Sequence, residues 1–141
     1  MNSVKTPFAC WTPEMSVGVS GLDQDHRHLI DLLNSLHDAI TAGSGTGRLG
    51  GILDKLVDYT TSHFGREEEL FALTGYPGAT AHRQQHQTLS KLVLDIQARY
   101  HQGAFDVLSL EALNFLKSWL ADHIEDSDKL YAAFLNSSGL Q

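Results

Sequence analysis

The sequence has little cysteine, few prolines and no long hydrophobic run. The single cysteine, Cys10, excludes an intramolecular disulfide, and the absence of any Cys-x-x-Cys pair excludes thiolate zinc and iron–sulfur sites. No segment approaches the roughly 18 consecutive apolar residues of a membrane span. Residues 1–10 contain one lysine and no apolar run of signal-peptide length. We therefore expect a cytoplasmic protein.

Basic residues are also scarce. The 10 lysines and arginines are outnumbered by 17 aspartates and glutamates, which gives a net charge of -7 with neutral histidines. Nucleic acids and anionic membrane surfaces both attract positive charge, so we predict neither as a partner. The length of 141 residues and the hydrophobic fraction of 42% are typical of one globular domain with its own core.

Four segments of the chain carry apolar residues at the three- and four-residue spacing of amphipathic helices. Before them, residues 1–20 hold Pro7 and Pro13 and lack this periodicity, so we predict an extended N-terminal arm that packs on the helices through Trp11, Met15, Val17 and Val19. The helices are predicted at about 22–41, 49–73, 79–100 and from Asp106 or Ser109 to about 134. Glycine-rich turns separate the first three, at Gly43–Gly51 and Gly75–Gly78. Short loops favour antiparallel neighbours. The predicted fold is all-α, an up-down-up-down four-helix bundle over 21–136 with a tail at 137–141.

Seven ionisable residues fall on the apolar faces of these helices: His26, His63, Glu67, His82, His86, His123 and Asp128. In an up-down-up-down bundle they come to one end, within a slab of roughly 10 Å. An isolated buried carboxylate costs tens of kcal/mol by Born estimates, so paired or metal-bound groups are expected. Unrelated buried histidine–carboxylate contacts are the alternative, but they would require four coincident placements.

The donor types narrow the choice of metal. Imidazole and carboxylate without thiolate suit iron, zinc, manganese or nickel. Seven ligands exceed a tetrahedral zinc site and match two six-coordinate ions that share bridging carboxylates. His28, His37 and His101 are predicted to lie outside the site, because they point outward or lie at the far end of the bundle. His123 and Asp128 are five residues apart, about 140° on an ideal helix, so either a local widening of the helix or a sideways reach of Asp128 is needed.

With these residues, the chain resembles the hemerythrin family, specifically the single-domain bacteriohemerythrins. The resemblance covers nearly the whole chain and is carried by four motifs: Gly18-Val19…Leu22-Asp23-Gln24-Asp25-His26, His63-Phe64…Glu67-Glu68, Tyr76-Pro77…His82…His86 and Trp119-Leu120…His123-Ile124…Asp128. A small departure is Gly65 in the second helix, which costs about 1 kcal/mol relative to alanine.

The resemblance implies two non-haem iron ions that bind dioxygen reversibly and share an oxo or hydroxo bridge. By motif, one iron is held by His82, His86 and His123, and the other, with an open position for dioxygen, by His26 and His63. Glu67 and Asp128 would bridge the two irons. The oxygen pocket would be lined by Leu29, Phe64, Trp119, Leu120 and Ile124.

The predicted function is reversible oxygen binding for storage, transport or scavenging, not enzymatic turnover. The chain has no Glu-x-x-His motif, which oxygen-activating di-iron bundle enzymes use. Five imidazoles also donate less charge than a carboxylate-rich set, which disfavours high-valent iron. The alternatives are an oxygen or redox sensor acting through an unidentified protein partner, a di-iron enzyme that handles peroxide or nitric oxide, and simple metal storage.

Overall fold

The computed structural model describes residues 7–141, and regular structure in that range is helical throughout. The bundle consists of α1 (Ser20–Thr41), α2 (Thr46–Thr74), α3 (Ala79–His101) and a fourth, continuous helix made of α4 (Leu110–Asp122), a π-helical turn (His123–Asp128) and α5 (Lys129–Ser137). Helix α1 packs on α2 and α4, and α2 packs on α3. The predicted antiparallel four-helix bundle is confirmed. Within the described range, no helix is both long and apolar enough to cross a membrane.

Helix α2 begins earlier than the sequence predicts, and the flexible turn predicted across Gly50 and Gly51 is wrong because both residues are helical. A Cβ atom at Gly50 would lie 3.1 Å from the ring of Tyr100 on α3. The Tyr100 hydroxyl in turn donates a hydrogen bond to the Thr46 carbonyl oxygen at 2.7 Å. Glycine therefore allows α2 and α3 to approach closely, and this packing offsets its low helix propensity.

Ser109 starts the fourth helix and is one of the two N-caps that the sequence predicts. Its side chain accepts a hydrogen bond from the Ala112 amide at 3.2 Å, which satisfies a backbone donor left free in the first turn. Asp106, the other candidate, lies in a short 3-10 helix before it, Phe105–Val107.

The apolar interior is divided into two clusters. The larger cluster contains Leu29, Phe64 and Ile124, and the smaller one contains Leu22, Phe71 and Tyr131, along with other residues. On α1, α2 and the fourth helix, His26, Glu67 and Asp128 lie between these two sets in the sequence. The predicted site is therefore enclosed by hydrophobic residues on both sides, which shield it from water.

The N-terminal arm packs against the bundle where it can be described; residues 1–6 of the predicted arm lie outside the described range. A 3-10 helix spans Pro13–Met15. The Asn34 side chain fixes the arm by pairing with both the amide and the carbonyl of Ala9 at 2.8 Å. The Arg27 guanidinium lies 4.0 Å from the ring centroid of Trp11. Three of the four residues predicted to pack the arm are buried, namely Met15, Val17 and Val19.

Two helical glycines of α2 give a matched test of packing. A Cβ at Gly65 would have no atom within 4 Å, whereas one at Gly50 would press on Tyr100. We expect Gly65→Ala to raise the free energy of unfolding by about 1 kcal/mol through helix propensity alone. Gly50→Ala is expected to gain less or to destabilise. Urea denaturation of both variants measures this, and equal gains would contradict the close α2–α3 contact.

Candidate metal centre

Each of the four bundle helices contributes to one buried polar cluster. Helix α1 provides His26, α2 provides a histidine and a glutamate, α3 provides two histidines, and the π-helical turn provides a histidine and an aspartate. Every one of these side chains is buried, with no residue more than 5% exposed. The members are the seven residues singled out in the sequence: His26, His63, Glu67, His82, His86, His123 and Asp128.

The potential ligand atoms form two groups that share two carboxylates. In each group, one nitrogen or oxygen atom per residue lies within 4.8 Å of all the others. One group consists of Glu67, His82, His86, His123 and Asp128, and the other of His26, His63, Glu67 and Asp128. Because Glu67 and Asp128 belong to both, their two oxygens each can face two adjacent ion positions.

Many of these atoms have no hydrogen-bond partner although they are buried. They are the Nε2 atoms of four histidines, one oxygen of Glu67 and both oxygens of Asp128. Nε2 atoms of His26, His82 and His123 lie 3.0–3.1 Å from Asp128 oxygens without forming hydrogen bonds. An unsatisfied buried polar group costs about 1–3 kcal/mol, and more if charged. The residues therefore fit metal cations, which would satisfy these lone pairs together.

The π-helical turn is what brings His123 and Asp128 to the same side. On an ideal α-helix, residues five apart diverge by about 140°. The wider π turn spans His123–Asp128, and both end residues are buried. Of the two solutions the sequence leaves open, the structure has the local widening, a feature often found at functional sites.

An aspartate that sequence reasoning missed orients one of the histidines. Asp25 contacts His63 Nδ1 at 2.9 Å, which leaves His63 Nε2 facing the cluster. Asp25 also accepts hydrogen bonds from Arg66 at 2.7 and 2.8 Å and from Tyr59 at 2.9 Å. Burial opposes ionisation, but the bonds from His63 and Arg66 keep the pKa of Asp25 well below its usual value. In the sequence, Asp25 is marked only by its place in the motif that ends at His26.

Two further side chains hold members of the cluster. The Tyr131 hydroxyl donates a hydrogen bond to Glu67 Oε2. On the opposite side, Gln85 Oε1 lies 2.9 Å from His123 Nδ1. Neither partner was predicted from the sequence, because each contact joins different helices. Such outer contacts commonly set the orientation of metal-binding side chains.

The electrostatics of the metal-free cluster depend on histidine protonation. Burial and the Asp128 charge would raise the pKa of Glu67, but the His63 charge and contacts with His82 and His86 outweigh them and lower it to about 2. Burial would lower the pKa of His82, but its contacts with Asp128 and Glu67 raise it to about 9. Without metal, protonated histidine therefore supplies the positive charge that balances the buried carboxylates.

The predicted oxygen-pocket residues are divided between different environments. Leu29, Phe64 and Leu120 line an apolar internal cavity of about 30 Å³. Phe64 also stacks on the His86 ring, with centroids 3.8 Å apart. Trp119 lies elsewhere, because it stacks on His123 at 4.5 Å and lines a more open cavity of about 290 Å³. Ile124 is fully buried in the main core but does not line the internal cavity.

The other three histidines lie outside both ligand groups. His28 is exposed beside the ring of Tyr59, and His37 stacks on Phe8 with centroids 4.3 Å apart. His101 is exposed and contacts Asp54 at 2.7 Å. These placements agree with the outward or distant positions expected from helical geometry.

The pKa shifts predict how the stability of the metal-free protein depends on pH. The lowered pKa of Glu67 contributes stability above its ordinary value of 4.5, which is lost as pH falls toward about 2. The raised pKa of His82 contributes stability below 6.5, which is lost as pH rises through about 9. Both contributions are complete between pH 4.5 and 6.5, so urea unfolding of metal-free protein should show maximal stability there. Zinc-loaded protein should lack the alkaline decline, and a metal-free protein equally stable at pH 6 and 9.5 would contradict the protonated cluster.

Comparison with known proteins places this cluster in a family. The model of the hemerythrin HHE cation binding domain matches residues 17–135. A bacteriohemerythrin of Stenotrophomonas maltophilia strain R551-3 is 38% identical over 122 residues, covering 86% of this chain and 78% of the relative. A bacteriohemerythrin of Methylococcus capsulatus strain Bath is 34% identical over 128 residues, covering 90% and 96%.

Solved structures agree with the sequence comparison. The crystal structure of a wild-type hemerythrin superposes with a TM-score of 0.81 at 33% identity, covering 91% of this chain and 98% of that one. The crystal structure of a hemerythrin mutant gives a TM-score of 0.83 at 31% identity, covering 92% of this chain and 98% of that one. The family model covers most of the chain, and the fold and the buried polar cluster described above agree with it. The chain belongs to the hemerythrin family.

Proposed function

We propose that this protein binds dioxygen reversibly at a centre of two non-haem irons, in oxygen storage, transport or scavenging. The observation that carries the proposal is the sharing of Glu67 and Asp128 by two groups of buried ligand atoms, each group within 4.8 Å. A single ion would leave part of this set unsatisfied, whereas two adjacent ions use all of it. Nitrogen and carboxylate donors without thiolate suit iron.

The ligand assignment follows the two groups. His82, His86 and His123 would hold one iron, and His26 and His63 the other. The shared carboxylates, Glu67 and Asp128, would bridge them together with a solvent-derived oxo or hydroxo group. When bound, the irons would supply the redox electrons and the position at which dioxygen coordinates. The smaller group leaves its iron with fewer protein ligands, which favours that side for dioxygen.

The apolar cavity supports reversible binding rather than oxidation. Its volume of about 30 Å³ is at least twice the roughly 10–15 Å³ that a cavity needs to hold one water molecule. A diatomic molecule therefore fits. Leu29, Phe64 and Leu120 offer no hydrogen-bond donor there, and the hydroxyl of Thr60, which also lines the cavity, already donates to the Leu56 carbonyl oxygen, so water gains little by entering. Excluding water protects a reactive site from side reactions and proton leakage. This lining serves to retain dioxygen unchanged.

Proteins of this family are generally oxygen carriers, and we propose that this chain likewise has no substantial oxygenase or oxidase turnover. Five imidazoles and two carboxylates form the cluster, so the ligand set contributes little negative charge for stabilising high-valent iron. The internal apolar cavity beside Phe64 also has little room for a substrate larger than a diatomic. Steady oxidation of an organic substrate by the iron-loaded protein would overturn this proposal.

We also propose a reducing compartment, the cytoplasm, as the setting. The single cysteine, Cys10, is exposed as a free thiol and has no partner cysteine in the sequence. Exposed free thiols persist where the surroundings are reducing. Ferrous iron is likewise favoured there.

The central test joins metal analysis to visible spectroscopy through cycles of air and argon. We expect two irons per chain and a colour that appears in air and disappears under argon over several cycles, because the cluster provides two ion positions. One iron per chain, or conversion to the ferric form within the first cycle, would contradict reversible binding at a binuclear centre.

Two histidine-to-alanine variants of α3 test the ligand assignment, one at a predicted ligand and one at a histidine outside the cluster. We expect His86→Ala to lose at least one of the two irons and the reversible colour, because its Nε2 is a buried atom of the five-residue group. His101→Ala removes an exposed histidine of the same helix and should retain both irons. Iron content per chain and visible spectra under air and argon are measured for both variants. Equal iron loss in both would contradict the assignment of His86 as a ligand.

A further inference from the structure

The side chain of Gln85 connects α3 to both ends of the ligand-bearing π-helical turn. Its Oε1 atom lies 2.9 Å from His123 Nδ1 and accepts a hydrogen bond from the Ser127 hydroxyl at 2.6 Å. His123 is the first residue of the turn, and Ser127 directly precedes its last residue, Asp128. One amide oxygen thus contacts both ends of the π-helical turn that carries the predicted ligands His123 and Asp128.

This contact defines which nitrogen of His123 is available to a metal. A neutral imidazole has one N–H and one lone pair. Because an amide oxygen only accepts, the proton lies on His123 Nδ1, and the lone pair is on Nε2. That Nε2 atom is buried without a hydrogen-bond partner and faces Asp128 Oδ1 at 3.1 Å. The amide of Gln85 therefore selects the tautomer that a metal ligand requires.

The same contact stabilises an unfavourable backbone. π-helical turns are rare because an extra residue is fitted into the turn, and they persist where other interactions support them. Here the support from α3 comes through Ser127 and His123 together. Without it, relaxation toward α-helical geometry would turn Asp128 away from His123, since five residues then span about 140°.

We propose that Gln85 is a positioning residue of the metal centre, which holds the His123 tautomer and the π-helical turn so that His123 and Asp128 face one metal position. The proposal rests on the proposed function, because it concerns the same centre. Gln85 does not itself face the cluster of ligand atoms. It lies on the opposite side of His123, in the wall of the open cavity that Trp119, Asp122 and Asp126 also line.

The test measures metal retention by the full chain loaded with zinc, a diamagnetic probe of the same ligands. We expect Gln85→Leu to release zinc to a chelator about tenfold faster, because His123 loses the contact that orients it. This is the lower end of the usual effect of outer contacts, since water in the open cavity partly replaces the amide. Gln85→Glu keeps an acceptor oxygen and makes the His123 imidazole more basic, so it should release zinc no faster than wild type. Ser127→Ala, which removes only one of the two contacts, should give an intermediate rate.

Gln84→Leu is the matched control, since it makes the same change one residue earlier on the exposed surface of α3. It should release zinc at the wild-type rate. A second readout is the NMR signal of the His123 Nδ1 proton in zinc-loaded protein. That signal should be slowly exchanging in wild type, Gln84→Leu and Gln85→Glu, and should broaden through exchange with water in Gln85→Leu.

The outcomes separate this proposal from the function on which it rests. An unchanged release rate and proton signal in Gln85→Leu would overturn the positioning role, and so would equal acceleration in Gln84→Leu. A wild-type chain that retains zinc but shows no reversible colour with iron would overturn the proposed function and leave the role of Gln85 supported. A wild-type chain that retains neither metal would overturn both.

Discussion

The structure depends on the burial of two carboxylates, Glu67 and Asp128, at the point where all four helices meet. Both are fully buried, and neither could be ionised there without positive charge close by. Imidazoles from every helix surround them, so the counter-charge is a bound cation or protons on histidine. The apolar clusters on either side stabilise the helices against each other and offset the cost of this polar layer.

The helical periodicity of the sequence accounts for most of what could be predicted. His26, His63, His82 and His86 lie on the same faces as the leucines around them, and an antiparallel bundle puts those positions at one level. The exception is the pair His123 and Asp128, whose spacing fits no regular helix. The sequence left open a local widening of the helix or a sideways reach of Asp128, and the structure has the widening, a π-helical turn.

Other features depend on contacts between helices that no local pattern encodes. Gly50 is predicted to be a turn residue, yet it is helical, and the absence of a Cβ there lets the Tyr100 ring approach the helix closely. Trp119 belongs to a motif that predicts a pocket residue, but it stacks on His123 and lines the more open cavity, not the internal one. Asp25 reaches a histidine 38 positions away. Such pairings require the relative rotation of two helices, which periodicity leaves undefined.

The two groups of ligand atoms also differ in the charge next to their histidines. On one side, His63 contacts Asp25, an anion held by Arg66. On the other, His123 contacts the neutral amide of Gln85, and a carboxylate lies farther from its histidine, with Glu68 Oε2 3.6 Å from His86 Nδ1. A carboxylate makes an imidazole ligand more basic than an amide does, so the chain donates more electron density through His63 than through His123. The inequivalence of the two positions therefore begins in the residues behind the ligands.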